Sequence, residues 1–402
     1  MDFRYTPEEQ RFRMEMRQFI DEQVPAELKD QKDYEGLDEY IPLEMAALKK
    51  MAAKGWLGAA FPKEYGGWGH ATLVPMTEYI LIDELNVRCP PLALTLTYLI
   101  TIIGNTILSC GSEELKKAFL PKILNAEMRI AICYSEPDAG NDIANIKTRA
   151  VLDGDEYVLN GSKRFITKAD TSDYMWTLVR TEAGSARHKG LSLMLVKTDS
   201  PGISIVPVKM YHGITTCEVF LDDVRVPKLN LVGEPGKAWE YLMEALARER
   251  TTMINFKNVS EPFEKLVLWL KTAEIDGERL GQDPVVRQSV ANKQLDISAG
   301  KMLQLIAGSR SMNKDYIPTM EGAASKIWRC LLAWDKVNLG IDIMRSYGIL
   351  TDEHPGAPLD GWWAAEYGWA GHEMSGAGGL DLNRQIIAQQ GLGLPRTLKS
   401  KA

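Results

Sequence analysis

The chain has 402 residues, of which 45% are hydrophobic and 25% charged, a composition typical of a globular protein with two or three domains. Its net charge of −7 argues against a protein that binds nucleic acid or anionic membranes. The five cysteines are widely separated and form no CxxC pair, which argues against zinc and disulfide frameworks and favours a reducing compartment. Because neither an apolar signal core nor a long apolar run is evident, a cytoplasmic protein without a membrane span is predicted.

Residues 1–128 are predicted to form an N-terminal all-α domain. The segment Thr6-Pro7-Glu8-Glu9 has the residues of a capping box, with proline at the first helical position. The segment "GSEELKKAFLPKIL" predicts another capped helix that ends near Pro121. Both are local signals for where a helix begins, so the helical prediction rests on more than composition.

Residues 129–232 are predicted to form a small antiparallel β domain. Runs such as "YMWTLVRT" and "LSLMLVKT" are rich in β-branched and large apolar residues, and Gly and Pro separate them. Asn160-Gly161 lies between two such runs and predicts a hairpin turn. From "GKAWEYLMEAL" onward the helical pattern returns, so residues 233–402 are predicted to form a C-terminal helical domain.

The common nucleotide-binding and hydrolase motifs are missing from the sequence. There is no GxGxxG after a strand, no GxxxxGK[ST], no HExxH and no GxSxG. The five histidines have no ligand spacing, so structural or surface roles are expected for them and no metal site is predicted.

One carboxylate stands on the apolar face of a predicted helix. In "EALARERTTM", Glu249 fills a position that the apolar repeat skips. Desolvating an unpaired carboxylate costs on the order of several kcal/mol, so such a placement needs a reason. Either Glu249 pairs with Arg248 or Arg250 on a solvated face, or it has a chemical role. The apolar repeat consists of Trp239, Leu242, Leu246, Met253 and Phe256.

The segments "AICYSEPDAGNDIANIKTRA" and "GSKRFITKA" resemble the flavin-binding signature of the acyl-CoA dehydrogenase family. Further similar segments, among them "FPKEYGGWG", "FLDDVRVPKLNLVGE" and "IIAQQGLGLPR", extend the resemblance over nearly the whole chain. It implies an α+β multidomain fold with an N-terminal helical domain, a middle antiparallel β-barrel-like domain and a C-terminal four-helix bundle. It also implies FAD, an acyl-CoA substrate, electron-transfer flavoprotein as electron acceptor and assembly into a homo- or heterotetramer.

The resemblance implies seven flavin-contacting positions. Phe165 matches the aromatic ring behind the flavin, and Thr167 matches the hydroxyl that bonds near its reactive nitrogen. Their spacing alone favours Phe165 and Tyr134 as ordinary core residues of the β domain, and the family resemblance is what favours a flavin contact. The other positions are Ile132, Tyr134 and Ser135, which match residues against the flavin, and Gly140 and Asn141, which match the turn where backbone approaches it.

The catalytic base is absent from its usual place. The family removes an α-proton with a glutamate, and the alignment puts Ala377 at the position where many members carry it. A minority of members use a Glu-Arg pair on the first helix of the C-terminal domain, which corresponds to Glu249 and Arg250. Glu249 is therefore the predicted base, with Arg250 supporting it, and Glu373 is the alternative.

Residues that complete a neighbour's FAD site in homotetrameric members are also missing. Gly277 stands at the position of the expected Arg, counted back from Gln288, and "DIMRSYGIL" lacks the expected Gln and Gly pair. This pattern resembles the α2β2 heteromeric acyl-CoA dehydrogenases of bacterial steroid degradation. The hypothesis is a base-carrying subunit that acts on a bulky or sterol-derived acyl group. Its alternatives are a non-catalytic partner subunit and a same-fold acyl-CoA oxidase or flavin monooxygenase.

Overall fold

A computed structural model of the chain describes residues 5–29, 37–69, 74–185, 187–211, 213–252, 257–311, 316, 318–376 and 378–395. The predicted order of a helical, a β and a second helical part is confirmed. The described residues form two compact units, one within Arg4–Glu249 and one within Arg250–Ala402. The N-terminal helices and the middle strands share one continuous core, so the division into 1–128, 129–232 and 233–402 stays a prediction.

The N-terminal helices begin at the capping signals. The Thr6 hydroxyl accepts the Glu9 N–H at 3.2 Å, and the Glu9 carboxylate accepts the Thr6 N–H at 2.7 Å, which confirms the predicted capping box. The helix capped by Ser112 continues past Pro121, so its predicted end was wrong. Pro121 lies in the last turn of this helix, where it lacks the N–H for one i→i−4 hydrogen bond. The helices are α1 (Pro7–Gln23), α2 (Ile41–Ala53), α3 (Val74–Arg88), α4 (Pro90–Leu96), α5 (Asn105–Cys110) and α6 (Glu113–Leu124).

A continuous apolar helix runs through this part of the chain. It comprises α4, a wider π-helical segment at Thr97–Gly104, and α5. Contrary to the expectation of no long apolar run, Pro90–Cys110 is long and apolar enough to cross a membrane by length and composition. However, 72% of its apolar stretch is buried inside the chain. This is one such helix among the described residues, and its place in the core explains its apolar composition.

The middle part is a twisted β-sheet whose strands lie in the order β6-β7-β3-β2-β4-β5-β8. Neighbouring strands are antiparallel except at β4, which pairs in parallel with β1 and, at one residue pair, with β2. The strands are β1 (Ile130–Cys133), β2 (Arg149–Asp153), β3 (Glu156–Thr167), β4 (Tyr174–Arg180), β5 (Leu191–Lys197), β6 (Ile203–Lys209), β7 (Thr215–Pro227) and β8 (Leu231–Val232).

The hairpin predicted at Asn160-Gly161 does not form. Residues on both sides of it belong to the single strand β3, and the turn between β2 and β3 lies at Gly154 instead. Gly161 has φ +154°, and a Cβ atom there would lie 2.6 Å from the Thr148 hydroxyl oxygen. The glycine therefore serves a close approach of two chain segments at a register shift, not a turn.

The second unit is helical, and α10 packs against the four other helices α8, α9, α11 and α12. The short hairpin of β9 (Glu274–Ile275) and β10 (Glu278–Arg279) connects α8 to α9. The helices of the C-terminal part are α7 (Ala238–Thr252), α8 (Lys257–Leu270), α9 (Pro284–Ser311), α10 (Thr319–Met344), α11 (Trp362–Glu373) and α12 (Leu380–Ile386).

Replacing Gly161 by alanine should destabilise the protein by at least ~1 kcal/mol, because the new methyl group meets Thr148 in a backbone conformation that disfavours side chains. Gly140→Ala is the control, since no atom lies within 4 Å of the position of its Cβ. Urea unfolding of the cofactor-free proteins measures both changes. Equal midpoints for the two variants would contradict the close approach at Gly161.

Candidate active site

Two motif segments that are distant in the sequence meet at the end of the sheet. The YSEP turn, residues 134–137, follows β1 directly, and the segment "KRFIT" ends β3. The Arg164 N–H donates to the Ser135 carbonyl at 2.9 Å and so joins the two segments through their backbones. The positions predicted to contact the flavin from β1 and from β3 therefore lie on neighbouring stretches of chain.

A buried ion pair lies beneath this junction. The Lys163 ammonium group, which is fully buried, donates to a Glu136 carboxylate oxygen at 3.0 Å. It also donates to the carbonyls of Tyr134 at 3.0 Å and Leu178 at 2.6 Å. Because its three donors all have acceptors, the lysine is satisfied without water, and it connects the YSEP turn, β3 and β4.

The Glu136 carboxylate is equally well bonded. It accepts the backbone N–H groups of Lys147 at 2.6 Å and Thr148 at 2.9 Å. Burial by itself would raise the pKa of Glu136, but the Lys163 cation and these donors outweigh it and lower that pKa. Burial lowers the pKa of Lys163, and the Glu136 charge opposes that shift.

Phe165 lies in a β-bulge and its ring is exposed. The register between β3 and β7 shifts between Lys163 and Ile166, and Phe165 takes φ +61°, a strained value for a bulky residue. Its side chain is 56% exposed, with the Arg164 guanidinium carbon 4.9 Å from the ring centroid. A bulge that turns an aromatic ring out of the core next to the half-buried Thr167 is typical of a binding site, not of packing.

Tyr134 differs from Phe165, because its ring belongs to the core. Its hydroxyl accepts the Trp176 indole N–H at 2.8 Å, and both side chains are buried. Contact of Tyr134 with a flavin would therefore involve its backbone or ring edge. The remaining predicted positions are the half-buried Ile132 and Ser135 and the exposed Gly140 and Asn141, which follow the YSEP turn.

The helix α7 presents its most buried residues to the same core. Ala238, Leu242 and Ala245 are buried and belong to the hydrophobic cluster that contains Tyr134. Their spacing of four and three residues continues, after four more, to position 249, which the helical backbone includes. Position 249 thus continues the spacing of these buried residues along the backbone of α7. The side chains of Glu249 and Arg250, and all of Met253, Phe256 and Ala377, lie outside the described residues.

The alternative base, Glu373, is held in an ion pair at the end of α11. One of its carboxylate oxygens accepts from the Arg329 guanidinium group, and its backbone carbonyl accepts from the Lys326 ammonium group at 2.8 Å. These contacts favour a structural role for Glu373.

In the region expected to face a neighbour's cofactor, an arginine of the chain pairs with two carboxylates of a short hairpin. Gly277 lies in the turn between β9 and β10 with φ +81°, after Asp276 with φ +53°, the conformation of a two-residue hairpin. Arg345 has φ +58° and ψ −142°, a region that is essentially reserved for glycine. Its guanidinium group contacts the Asp276 carboxylate at 3.3 Å and also pairs with Glu278. The strained arginine therefore holds an acidic hairpin.

Sequence patterns also contained a signal for the buried lysine. Alternate residues of a strand face the same side, and Lys163 lies an even number of residues after the buried Tyr157 and Leu159 on β3. The alternation therefore predicts that this charged residue faces the core. A charge at such a position needs a partner, and Glu136 in the YSEP turn is that partner. The identity of the partner could not be predicted, because it depends on how β1 and β3 meet.

The residues at the junction fit a flavin. An exposed aromatic ring, an adjacent half-buried hydroxyl and a turn with open space at Gly140 together supply an apolar wall, a polar contact and room for a close approach. Phe165, Thr167, Ile132 and the backbone of the YSEP turn are the groups that would hold it.

The chain is similar to known proteins over nearly its whole length. Acyl-CoA dehydrogenase family models match residues 6–127 (N-terminal domain), 131–224 (middle domain) and 236–392 (C-terminal domain). Acyl-CoA dehydrogenase FadE26 of Mycobacterium tuberculosis is 31% identical over 98% of this chain and 99% of its own. The solved structure of the Tcur3481-Tcur3483 steroid ACAD has 29% identity and a TM-score of 0.85 over 99% of this chain and 100% of that one. The ChsE4-ChsE5 complex from Mycobacterium tuberculosis has 30% identity and a TM-score of 0.84 over the same shares.

Lys163→Met should lower the free energy of unfolding by about 3–5 kcal/mol, because it leaves the Glu136 carboxylate buried without its cation. It should also weaken FAD retention, since the YSEP turn loses its side-chain link to β3 and keeps only the backbone hydrogen bond from Arg164 to Ser135. Lys147→Met is the control, because Lys147 forms an exposed ion pair with Asp138, and its unfolding midpoint should not change. Urea unfolding and the FAD-to-protein absorbance ratio are the measurements. A Lys163→Met protein as stable as the control would rule out this role.

Proposed function

The chain belongs to the acyl-CoA dehydrogenase family and is an FAD-dependent enzyme, and we propose that Glu249 is the base of its α,β-dehydrogenation of an acyl-CoA thioester. Bound FAD supplies the acceptor for the β-hydrogen, which leaves as hydride. Side chains of the protein supply the proton acceptor and the group that positions it. The carboxylate of Glu249 takes the α-proton, and Arg250 positions that carboxylate or tunes its pKa.

The observation that carries this proposal is the stripe of buried residues on α7. Position 249 continues the series Ala238, Leu242 and Ala245, which packs into the core shared with the flavin-facing β1 segment. An apolar surrounding raises the pKa of a carboxylate toward the working pH and so makes it a better base. The ion pair of Glu373 with Arg329 supports a structural role for the alternative base.

The flavin would be held by the junction of β1 and β3. We assign the apolar contacts to Ile132 and Phe165, a hydrogen bond to Thr167, and close backbone approach to residues 134–135 and 140–141. The exposed ring of Phe165 and the strain of its bulge support this assignment. The Lys163–Glu136 pair would keep these groups in register when the cofactor binds.

Glu249→Gln should slow flavin reduction by an acyl-CoA substrate by ~10²–10⁴-fold while FAD stays bound, because the amide cannot accept the α-proton. Anaerobic stopped-flow bleaching of the flavin with a panel of CoA thioesters measures this rate. Glu240→Gln, an exposed position on the same helix, and Glu373→Gln should keep the wild-type rate. Unimpaired bleaching by Glu249→Gln would exclude Glu249 as the base. Slow reoxidation of the bleached wild type in air would favour a dehydrogenase over an oxidase or monooxygenase.

We also propose that this chain is the base-carrying subunit of an α2β2 enzyme. A homotetramer needs a cation from each subunit near its neighbour's pyrophosphate, and this chain has a hairpin with Gly277 at that place. Asp276 and Glu278 add negative charge there, and Arg345 is already paired with both. Two carboxylates beside an anionic pyrophosphate disfavour its binding, so a different chain would supply the missing contacts.

The substrate class follows from the same comparison. The similar solved structures are the Tcur3481-Tcur3483 steroid ACAD and the ChsE4-ChsE5 complex, each named for two components. On that basis we propose a bulky, sterol-derived acyl group as substrate. Electron-transfer flavoprotein is the proposed electron acceptor. A cytoplasmic location is proposed because all five cysteines, each in the described part of the chain, are free thiols.

The chain expressed alone should contain less than one FAD per subunit, and co-expression with the product of a neighbouring acyl-CoA dehydrogenase gene should restore FAD content. Absorbance ratios combined with light scattering give both cofactor content and subunit composition. The FAD content of the isolated chain is also compared between the hairpin variants Asp276→Asn and Glu278→Gln and the charge control Asp138→Asn. Asp138 is an exposed carboxylate outside the hairpin. A homo-oligomer with full FAD content would refute the heteromeric assembly.

A further inference from the structure

A second buried carboxylate lies close to the flavin-facing strands. Glu44 is on the buried stripe of α2, together with Ala47, Leu48 and Met51, and only 1% of it is exposed. Its carboxylate accepts from the Thr95 hydroxyl on α4. It therefore links two N-terminal helices, and the cost of burying its charge must be offset by cations.

The cations come from the two ends of the flavin site. The Lys168 ammonium group lies 3.4 Å from a Glu44 carboxylate oxygen, and the Arg129 guanidinium group lies 3.9 Å from the same oxygen. Arg129 immediately precedes β1, and Lys168 immediately follows Thr167 at the end of β3. One carboxylate of the helical part is thus bonded to both segments that carry the flavin-facing residues.

Lys168 is also fixed through its backbone. It has φ +60° and ψ 25°, a left-handed conformation that is uncommon for a lysine. Its carbonyl accepts the Ser172 hydroxyl at 2.7 Å, which holds the turn that follows β3. With its side chain bonded to Glu44 and its backbone bonded to this turn, Lys168 limits how far Thr167 can move.

We propose that Glu44 and Lys168 are positioning residues that set the flavin's reduction potential. The inference rests on the proposed flavin site at β1 and β3. The charges of Lys168, Arg129 and Glu44, which are mostly buried, sum to a net positive charge in the chain next to Thr167. Reduction adds negative charge to the flavin, and a nearby positive field stabilises it, so Lys168 raises the potential and Glu44 moderates that effect.

The test compares charge-neutralising variants in the purified holoprotein. Glu44→Gln should raise the two-electron reduction equilibrium constant of the flavin about tenfold, a shift of about 30 mV. Lys168→Gln should lower that constant by a similar factor, and the double variant should return toward the wild type. Equilibrium reduction against dyes of known potential measures all three. Lys168 is partly exposed at its side chain, so Lys168→Gln remains informative if Glu44→Gln does not fold.

A matched control comes from the same unit. Glu84 on α3 is also 1% exposed and also pairs with two cations, Arg13 and Arg17 of α1. Glu84→Gln should destabilise the protein without changing the flavin's potential. Equal shifts of the flavin's reduction potential in Glu44→Gln and Glu84→Gln would overturn the proposal. So would potential shifts of the same sign in Glu44→Gln and Lys168→Gln, because both results are expected of residues with a merely structural role.

The variant Phe165→Ala tests the proposed flavin site separately from the roles of Glu44 and Lys168. This variant should weaken FAD binding, measured by flavin fluorescence on titration of the apoprotein. Unchanged affinity would refute the proposed site. Weakened affinity together with unshifted potentials in Glu44→Gln and Lys168→Gln would refute only the role of these two residues.

Discussion

The ammonium group of Lys163, buried completely beneath the YSEP turn, holds the candidate active site together. It joins the turn after β1, strand β3 and strand β4 with one ion pair and two hydrogen bonds to carbonyls. Removing either charge would leave the other in a low-dielectric environment. The position of every predicted flavin-facing residue depends on this contact, because those residues lie on the segments that it connects.

Charges hold strained backbone in place at two other sites of the molecule. Phe165 has positive φ in a bulge, with the Arg164 guanidinium group stacked on its ring. Arg345 has a conformation typical of glycine and pairs with the acidic hairpin. Strain of this kind costs of order 1–3 kcal/mol and persists where surrounding contacts enforce it. At Phe165 the ring is left exposed, and at Arg345 the guanidinium group pairs with two carboxylates.

Two glutamates occupy positions within apolar helical repeats. Glu44 is buried on α2, and position 249 continues the spacing of the buried residues of α7. This pattern was recognised in the sequence for Glu249, where the family pattern drew attention to a missing base. It applies equally to Glu44, whose cations lie far away in the sequence at Arg129 and Lys168 and therefore left no local signal.

The sequence by itself determined the order of helical and β parts, the helix starts at Thr6 and Ser112, and the segments of the flavin signature, because capping, periodicity and motif spacing are local properties. Tertiary structure decided the rest. Asn160-Gly161, which has the sequence of a hairpin, became a continuous strand, because Thr148 packs where a side chain of residue 161 would be. Likewise, the tertiary structure buries the ring of Tyr134, exposes the ring of Phe165 and pairs Lys163 with Glu136. Each of these outcomes depends on which distant segments meet, and no local pattern carries that information.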